Sequence, residues 1–138
     1  MTGDLFELDA EIESRQQHLA PGAVLLRGFA CAASRSLSDA LQSVIVPAPF
    51  RHMVTPGGQS MAVAMTNCGD YGWISDRAGY RYGAIDPESA RRWPPMPEAF
   101  LRLARDAAAA AGFEEFVPDA CLIHRYETGA KLSLHQDK

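Results

Sequence analysis

The chain has 138 residues, 47% of them hydrophobic and 22% charged, with a formal net charge of −4, which suits one ordinary globular domain. This composition excludes extensive disorder, and no apolar run reaches the length of about 18 residues that a membrane-spanning helix needs. The acidic N-terminus lacks the basic and then apolar pattern of a signal peptide, so we expect a cytoplasmic protein.

Charge is unevenly distributed along the chain. Residues 1–14 carry five acidic side chains and no basic one, whereas the remainder has a net charge of +1, and most of its basic residues are arginine. Arginine suits bidentate contact with phosphate, but this excess is far below that of a constitutive nucleic-acid binder. Composition therefore neither requires nor excludes a nucleic-acid partner.

The cysteines indicate a reducing environment. Cys31, Cys68 and Cys121 are odd in number, far apart in the sequence and without a C-x-x-C spacing. This pattern predicts reduced thiols and not a disulfide framework. Each lies among small or apolar residues, so we expect three buried, inert side chains.

In the first third of the chain the sequence predicts two helices and a strand. A weak apolar pattern predicts a short helix near residues 5–18, and the apolar run at residues 23–29 predicts a strand. Ser34 and Ser36 are of the type that caps helices, so a helix is expected over about residues 37–45.

The middle of the chain reads as strands and turns. Residues 50–54 and 61–66 are predicted strands, joined by the turn-rich sequence Thr-Pro-Gly-Gly at 55–58. Glycine, proline and aromatic residues dominate residues 67–95, which predicts long loops with short strands.

The last third begins with a helix between clear boundary residues. Pro97 is suited to the first turn and Gly112 to the end, so a helix is predicted up to about residue 111. Residues 120–126 and 132–137 then alternate as two strands of a predicted hairpin. The two clearly marked helices, over about 37–45 and up to about 111, and about six strands predict an α+β domain rich in antiparallel sheet. Because the chain ends within its last predicted strand and would leave an open sheet edge, we expect a fragment.

His135 and Asp137 form the sharpest chemical feature of the sequence. Residues two apart on a strand point to the same face, so this imidazole and carboxylate can take adjacent positions on one metal ion. They would supply two-thirds of the facial triad of non-haem iron oxygenases. Taken alone, the pair is better explained by two solvated polar residues at a strand end.

The pair does not stand alone, because Tyr126, Gly129, His135 and Asp137 keep a fixed spacing. That spacing resembles the metal-binding motif of AlkB-type dioxygenases, which are iron(II)- and 2-oxoglutarate-dependent repair enzymes for alkylated nucleic acid. Further blocks resemble the bacterial members of this family: residues 50–58, Met61, residues 65–69, Gly72, Trp73, Gly79, Tyr80, Tyr82, residues 85–87, and the pairs at 93–94 and 96–97. The resemblance covers about residues 20–138.

The resemblance implies a fold and a reaction. The expected fold is a double-stranded β-helix, a jelly roll, with residues 19–138 holding a nucleotide-recognition lid and the first core strands. Residues 1–18 form an acidic segment without a matching motif. The implied reaction removes N-methyl groups from bases of the 1-methyladenine or 3-methylcytosine type in DNA or RNA and releases formaldehyde. It requires iron(II), 2-oxoglutarate and oxygen, and no side chain acts as nucleophile or general base.

The resemblance also implies a monomer that acts on single-stranded or flipped-base substrate and not on membranes. The family's second iron-binding histidine and two arginines for 2-oxoglutarate have no counterpart up to residue 138. The alternative is therefore a truncated, non-catalytic remnant that binds nucleic acid.

Site residues follow from the resemblance one by one. His135 and Asp137 would bind iron, and Tyr126 would bind 2-oxoglutarate together with His124, which stands where the family usually has asparagine. The implied substrate-binding residues are Trp73 for base stacking, Tyr80 for phosphate, Tyr82 on the same strand face, Thr55, Met61 and Met65 in a mobile lid, and Lys131 and Lys138 near nucleic acid.

Several of these residues also suit ordinary structural roles. Trp73 fits a core tryptophan as well as a platform for a base. Tyr80 and Tyr82, with Arg81 opposite, also suit a half-buried strand without a ligand. The turn at residues 55–58 is either a phosphate-binding nest or a plain hairpin turn, which is the more common case.

A further hypothesis concerns His124. In the predicted hairpin it lies across from His135, at the about 5 Å that separates paired Cβ atoms. His124, His135 and Asp137 would then hold a divalent metal ion weakly and without catalysis.

Overall fold

The computed structural model describes residues 15–136. They form an α+β arrangement, as predicted, and neither α-helix in this range is long and apolar enough to cross a membrane. In chain order the elements are β1 (Gln16–Ala20), β2 (Ala23–Leu26), a 3-10 turn (Cys31–Ala33), α1 (Ser34–Ile45), β3 (Ala64–Gly69), β4 (Gly72–Asp76), β5 (Gly79–Gly83), α2 (Glu98–Ala110) and β6 (Ala120–Arg125).

Strand β3 is the centre of the sheet structure. The strands form three antiparallel pairs, β1–β2, β3–β6 and β4–β5. On its other edge β3 also pairs with Arg51, since the N–H groups of Arg51 and Met65 donate to each other's carbonyl oxygens at 3.0 and 2.9 Å. Met65 is therefore held from both sides.

The two faces of the β3–β6 pair have different neighbours. Cys121 and Ile123 on one face share an apolar groove with side chains of α1 and α2. On that face Thr66 donates a 2.7 Å hydrogen bond to the carbonyl oxygen of Ala48. Because side chains alternate along a strand, Met65 and its register partner His124 lie on the opposite face.

The helices are where the sequence predicts them, apart from one capping detail. Helix α2 runs over Glu98–Ala110 with Pro97 at its N-cap, which confirms the prediction. Helix α1 begins at Ser34 and not near residue 37, and its N-cap Ala33 has no side-chain capping bond. The predicted capping role of the serines was wrong because the chain enters α1 directly from the preceding 3-10 turn.

One strand prediction and one helix prediction need correction. Residues 50–54 are not a strand and contact their neighbours only through single bridges at Arg51 and Val54. The predicted helix near residues 5–18 lies mostly outside the described residues, and its end belongs to β1.

The predicted hairpin between residues 120–126 and 132–137 was also wrong. Strand β6 pairs with β3, and residues 131–136 form no strand. Leu132 packs instead against the buried cluster of Met53, Val63 and Met65. Burial of this apolar side chain draws the segment away from β6, so the proposed cross-strand pairing of His124 with His135 does not occur.

A buried ion pair joins the segment before β3 to the segment after β5. The guanidinium of Arg51 donates to both carboxylate oxygens of Asp86, at 2.6 and 2.9 Å, with Asp86 only 1% exposed. The same guanidinium lies 5.1 Å from the ring centre of Trp93. Arg51 thus joins Asp86 and Trp93 into one buried unit beneath the β4–β5 hairpin.

Gly72 is where this unit meets strand β4. A Cβ atom at Gly72 would overlap the indole of Trp93 and lie 2.9 Å from the Cβ of Asn67. We expect Gly72→Ala to lower the free energy of unfolding by about 1–3 kcal/mol, because both neighbours are packed and must shift. Urea unfolding measures this loss. Gly57→Ala is the control, since its nearest contact would be at 3.8 Å, and equal losses in the two variants would contradict the packing argument.

Candidate functional site

The candidate site is built on the face of β3–β6 that carries Met65 and His124. Met65, Val63 and Met53 form a buried cluster, and Met61, Trp73, Ala130 and Leu132 pack against it. Trp73 therefore contacts the cluster that contains Met65, and His124 is the register partner of Met65. Met65 lies in β3 and is only 2% exposed, so its side chain forms the floor of this face.

Aromatic rings form one wall of the site. In the β4–β5 hairpin Trp73 is the register partner of Tyr82, and its ring stacks on Tyr80 with centroids 5.6 Å apart and planes at 17°. This is the offset stacking that aromatic pairs prefer. Tyr80 and Tyr82 are 61% and 63% exposed, so this wall presents flat rings to the solvent.

Arg81, between these tyrosines, is already engaged. Its guanidinium donates to both carboxylate oxygens of Asp76 at 2.8 Å. These hydrogen bonds, together with one from the N–H of Ala78, lower the pKa of Asp76. Arg81 therefore holds the hairpin together, and its charge is neutralised locally.

The sequence at residues 55–58 forms the plain hairpin turn. The N–H of Gly58 donates to the carbonyl oxygen of Thr55 at 2.8 Å. The N–H of Thr55 in turn donates to the carbonyl oxygen of Gln59, also at 2.8 Å. The guanidinium of Arg77 lies against Gly58, whose φ of +84° favours glycine. Met61 follows the turn and donates a 2.8 Å backbone hydrogen bond to Met53.

His124 and Tyr126 lie side by side at the end of β6. The hydroxyl oxygen of Tyr126 is 3.4 Å from Nδ1 of His124, and the rings meet edge to face at 81°. Tyr126 is 53% exposed. The two predicted 2-oxoglutarate-binding residues are therefore neighbours on the site face.

His135 is oriented as a metal ligand would be. Its Nδ1 lies 2.8 Å from the carbonyl oxygen of Ser133, and since a carbonyl only accepts, Nδ1 carries the proton and donates. Such a bond to a backbone carbonyl fixes the tautomer in which Nε2 binds a metal. The imidazole therefore fits an iron ligand.

The other predicted residues at this end of the chain are not brought together with His135. Among residues 15–136 no group of three or more His, Cys, Asp or Glu side chains is arranged to hold a metal ion. Asp137, the predicted second iron ligand, and Lys138 lie outside the described residues. Lys131 is exposed to solvent.

Two of the three cysteines meet across the sheet, which the sequence did not reveal. Cys68 and Cys121 are register partners in β3 and β6. Their hydrogen bond and the burial of Cys68 raise the pKa of Cys68, whereas the same hydrogen bond lowers the pKa of Cys121. Cys31 is exposed, so the prediction of a buried thiol was wrong there.

Sequence reasoning also missed Asn67. This side chain is fully buried and hydrogen-bonds both backbone groups of Trp73. The available signal was an amide side chain directly after the predicted strand over residues 61–66, because a buried amide requires hydrogen-bond partners.

The described residues carry a stacked aromatic pair, Trp73–Tyr80, and a histidine–tyrosine pair, His124–Tyr126, on an antiparallel α+β scaffold. A protein-family model matches residues 22–138, and the chain belongs to the 2OG-Fe(II) oxygenase superfamily, which has a jelly-roll fold. This confirms the family-level prediction from the sequence motif.

Curated relatives agree with this assignment. The chain is 54% identical over 134 residues to the alpha-ketoglutarate-dependent dioxygenase AlkB of Escherichia coli and equally so to that of Salmonella typhimurium. It is 43% identical over 106 residues to the AlkB homolog of Caulobacter vibrioides. These alignments cover 97% and 77% of the chain, and the chain spans 62% and 46% of the length of these relatives.

Proposed function

We propose that the protein removes alkyl groups oxidatively from damaged bases in DNA or RNA, as a direct-reversal repair enzyme that uses iron(II), 2-oxoglutarate and oxygen. The superfamily and the relatives named AlkB support this class of reaction. The observation that carries the choice of substrate is the stacked pair Trp73–Tyr80 beside the Met65–His124 floor. The stacked pair offers a flat ring on which a base can rest.

The substrate base stacks on Trp73 in this proposal. An alkylated base must leave the stack of its own strand to reach a buried metal, and it then needs a π-face to rest on. Tyr80 stacks on Trp73 in the free protein and is exposed, so the entering base displaces the ring of Tyr80. The tyrosine hydroxyl is then positioned for the phosphate backbone, with Tyr82 beside it.

The proposed cofactor site uses residues at the end of β6 and in the segment that follows it. His135 and Asp137 hold iron(II), and the hydroxyl of Tyr126 with the imidazole of His124 binds 2-oxoglutarate. Bound iron, 2-oxoglutarate and oxygen supply the oxidation of the N-methyl carbon, after which formaldehyde leaves and the base is restored. The protein's own task is to orient the methyl group and exclude water, for which the apolar side chains of Met61 and Leu132 are suited.

The remaining proposed contacts lie around the site. Thr55 and Met61 belong to a lid over the substrate, and Lys131 and Lys138 meet the negatively charged strand. The protein acts as a monomer in the cytoplasm.

Formaldehyde release tests the function directly. A single-stranded oligonucleotide that carries 1-methyladenine or 3-methylcytosine is incubated with the protein, iron(II) and 2-oxoglutarate. We expect formaldehyde only when both are present and only from methylated strands. Tight binding of methylated strands without formaldehyde would favour the non-catalytic remnant, and the absence of both would reject the proposal.

Trp73→Ala tests the stacking platform. We expect binding of the methylated strand to weaken by about 1–3 kcal/mol, the contribution of one stacked base, while affinity for iron stays unchanged. Fluorescence anisotropy of a labelled strand measures this loss. Phe113→Ala is the control, because this exposed aromatic residue lies in the loop after α2. A variant that unfolds, but binds normally in its folded fraction, would make Trp73 a core residue instead.

A further inference from the structure

We propose that Asn67 is a positioning residue that holds Trp73 in place for substrate, an inference that rests on the proposed stacking role of Trp73. Asn67 lies in β3 and is 0% exposed. Its side-chain hydrogen bonds go to the backbone of Trp73 and not to a predicted metal ligand. Its effect on recognition therefore acts through the position of Trp73.

Two hydrogen bonds join the side chain of Asn67 to the backbone of Trp73. The side-chain amide nitrogen of Asn67 donates to the carbonyl oxygen of Trp73 at 2.9 Å, and its side-chain oxygen accepts from the N–H of Trp73 at 2.9 Å. The amide thus takes the place of a neighbouring strand's peptide group. Two bonds in opposite directions fix both the distance and the orientation of the Trp73 peptide.

Among the described residues, no strand pairing supplies hydrogen bonds to the N–H and carbonyl groups of Trp73 in place of Asn67. Strand β4 pairs with β5 on one edge, and β3 pairs with β6, so β3 and β4 belong to different sheets. Because the N–H and carbonyl of Trp73 point to Asn67, they face away from β5, where Trp73 and Tyr82 are the register partners. Without Asn67 both buried groups would lack these partners.

The surroundings of Asn67 support a positioning role. Gly72, which precedes Trp73, has no room for a side chain between Asn67 and Trp93. The ring of Trp73 packs against the Met53–Val63–Met65 cluster and stacks on Tyr80. A base platform must be held in this way before substrate arrives, because the ordering cost otherwise falls on binding.

The test compares Asn67 with its neighbour on the same strand. Asn67→Leu keeps the number and branching of the side-chain heavy atoms, with somewhat larger methyl groups, and removes both hydrogen bonds. Asn67→Ser is a smaller variant that admits water. Thr66→Val is the matched control, because it removes a buried hydrogen bond to Ala48 on the opposite face of β3. All three weaken the fold, but only the first two release Trp73.

The first readout follows the indole itself. The chain has two tryptophans, so 5-fluorotryptophan labelling gives two ¹⁹F resonances, and Trp93→Phe assigns them. We expect the Trp73 resonance to shift and broaden in Asn67→Leu and Asn67→Ser and to stay in place in Thr66→Val. An unshifted Trp73 resonance in either folded Asn67 variant overturns the proposal.

The second readout is discrimination between strands. In the Asn67 variants we expect the ratio of affinities for methylated over unmethylated strand to fall by up to about tenfold, within the contribution of one stacked base. In Thr66→Val the ratio should remain at the wild-type value, and an equal fall there would show a merely structural role. If Trp73→Ala itself leaves the ratio unchanged, the stacking function fails, while the fluorine resonance still decides whether Asn67 positions Trp73.

Discussion

Replacement of His135 by alanine is expected to abolish iron-dependent formaldehyde release from a methylated oligonucleotide. Loss of a residue that only supports a metal ligand costs about 10–100-fold in metal affinity or activity, so loss of a ligand should cost at least about 100-fold. Asp137→Ala should have the same effect, because an incomplete ligand set leaves the metal poorly held and wrongly oriented. Turnover assays with saturating 2-oxoglutarate measure the loss.

His18→Ala provides the control for this experiment. His18 is an exposed histidine of β1, and its removal should leave turnover unchanged. Iron affinity, measured by titration into the metal-free protein, should fall in the His135 and Asp137 variants alone. Wild-type turnover in Asp137→Ala would remove that residue from the ligand set.

Asp86→Asn is expected to lower the free energy of unfolding by about 3–5 kcal/mol, because the buried guanidinium of Arg51 loses the carboxylate at 2.6 Å and keeps only the more distant, exposed Glu88 at 3.6 Å. Urea unfolding at neutral pH measures this loss. Asp76→Asn is the matched control, since Asp76 makes the same double contact with Arg81 at the surface, where water and salt screen the pair and a much smaller loss is expected. Equal losses in both variants would show that burial of the Arg51–Asp86 pair is unimportant.

The acid side of the stability curve provides a second measurement of the same pair. Burial alone would raise the pKa of Asp86, but hydrogen bonds and charge attraction from Arg51, with hydrogen bonds from the N–H of Glu88 and from Ser89, lower it overall. The stabilisation is therefore complete above the unfolded-state pKa of about 3.9 and is lost as the pH falls through the lower folded-state pKa. Asp86→Asn should flatten this acid-side loss, and an unchanged slope would contradict the assignment.

The sequence predicted correctly the elements that have clear local boundary signals. Pro97 and Gly112 bracket α2, and the predicted strand at 120–126 is β6 almost residue for residue. The spacing of Tyr126, Gly129, His135 and Asp137 was sufficient to indicate the superfamily. These signals are local, because a proline, a turn glycine or a strand-spaced ligand pair acts on its own few neighbours.

Pairing and packing could not be derived in the same way. The alternation at residues 132–137 suits a strand, yet Leu132 packs on the Met53–Val63–Met65 cluster and β6 pairs with β3. The sequence also did not indicate that Met65 pairs with Arg51 on one edge of β3 and with His124 on the other. A ladder partner is chosen by burial of whole faces, which residue patterns do not encode locally.

The sequence by itself therefore determined the family, the α+β composition and the candidate ligands His135 and Asp137. Only the tertiary structure decided that Trp73 stacks on Tyr80, that Asn67 holds the Trp73 backbone, and that Arg51 and Asp86 close a buried ion pair. The physical reason is distance along the chain. Arg51 and Asp86 are 35 residues apart, and such contacts form only when buried polar groups must find partners in the folded core.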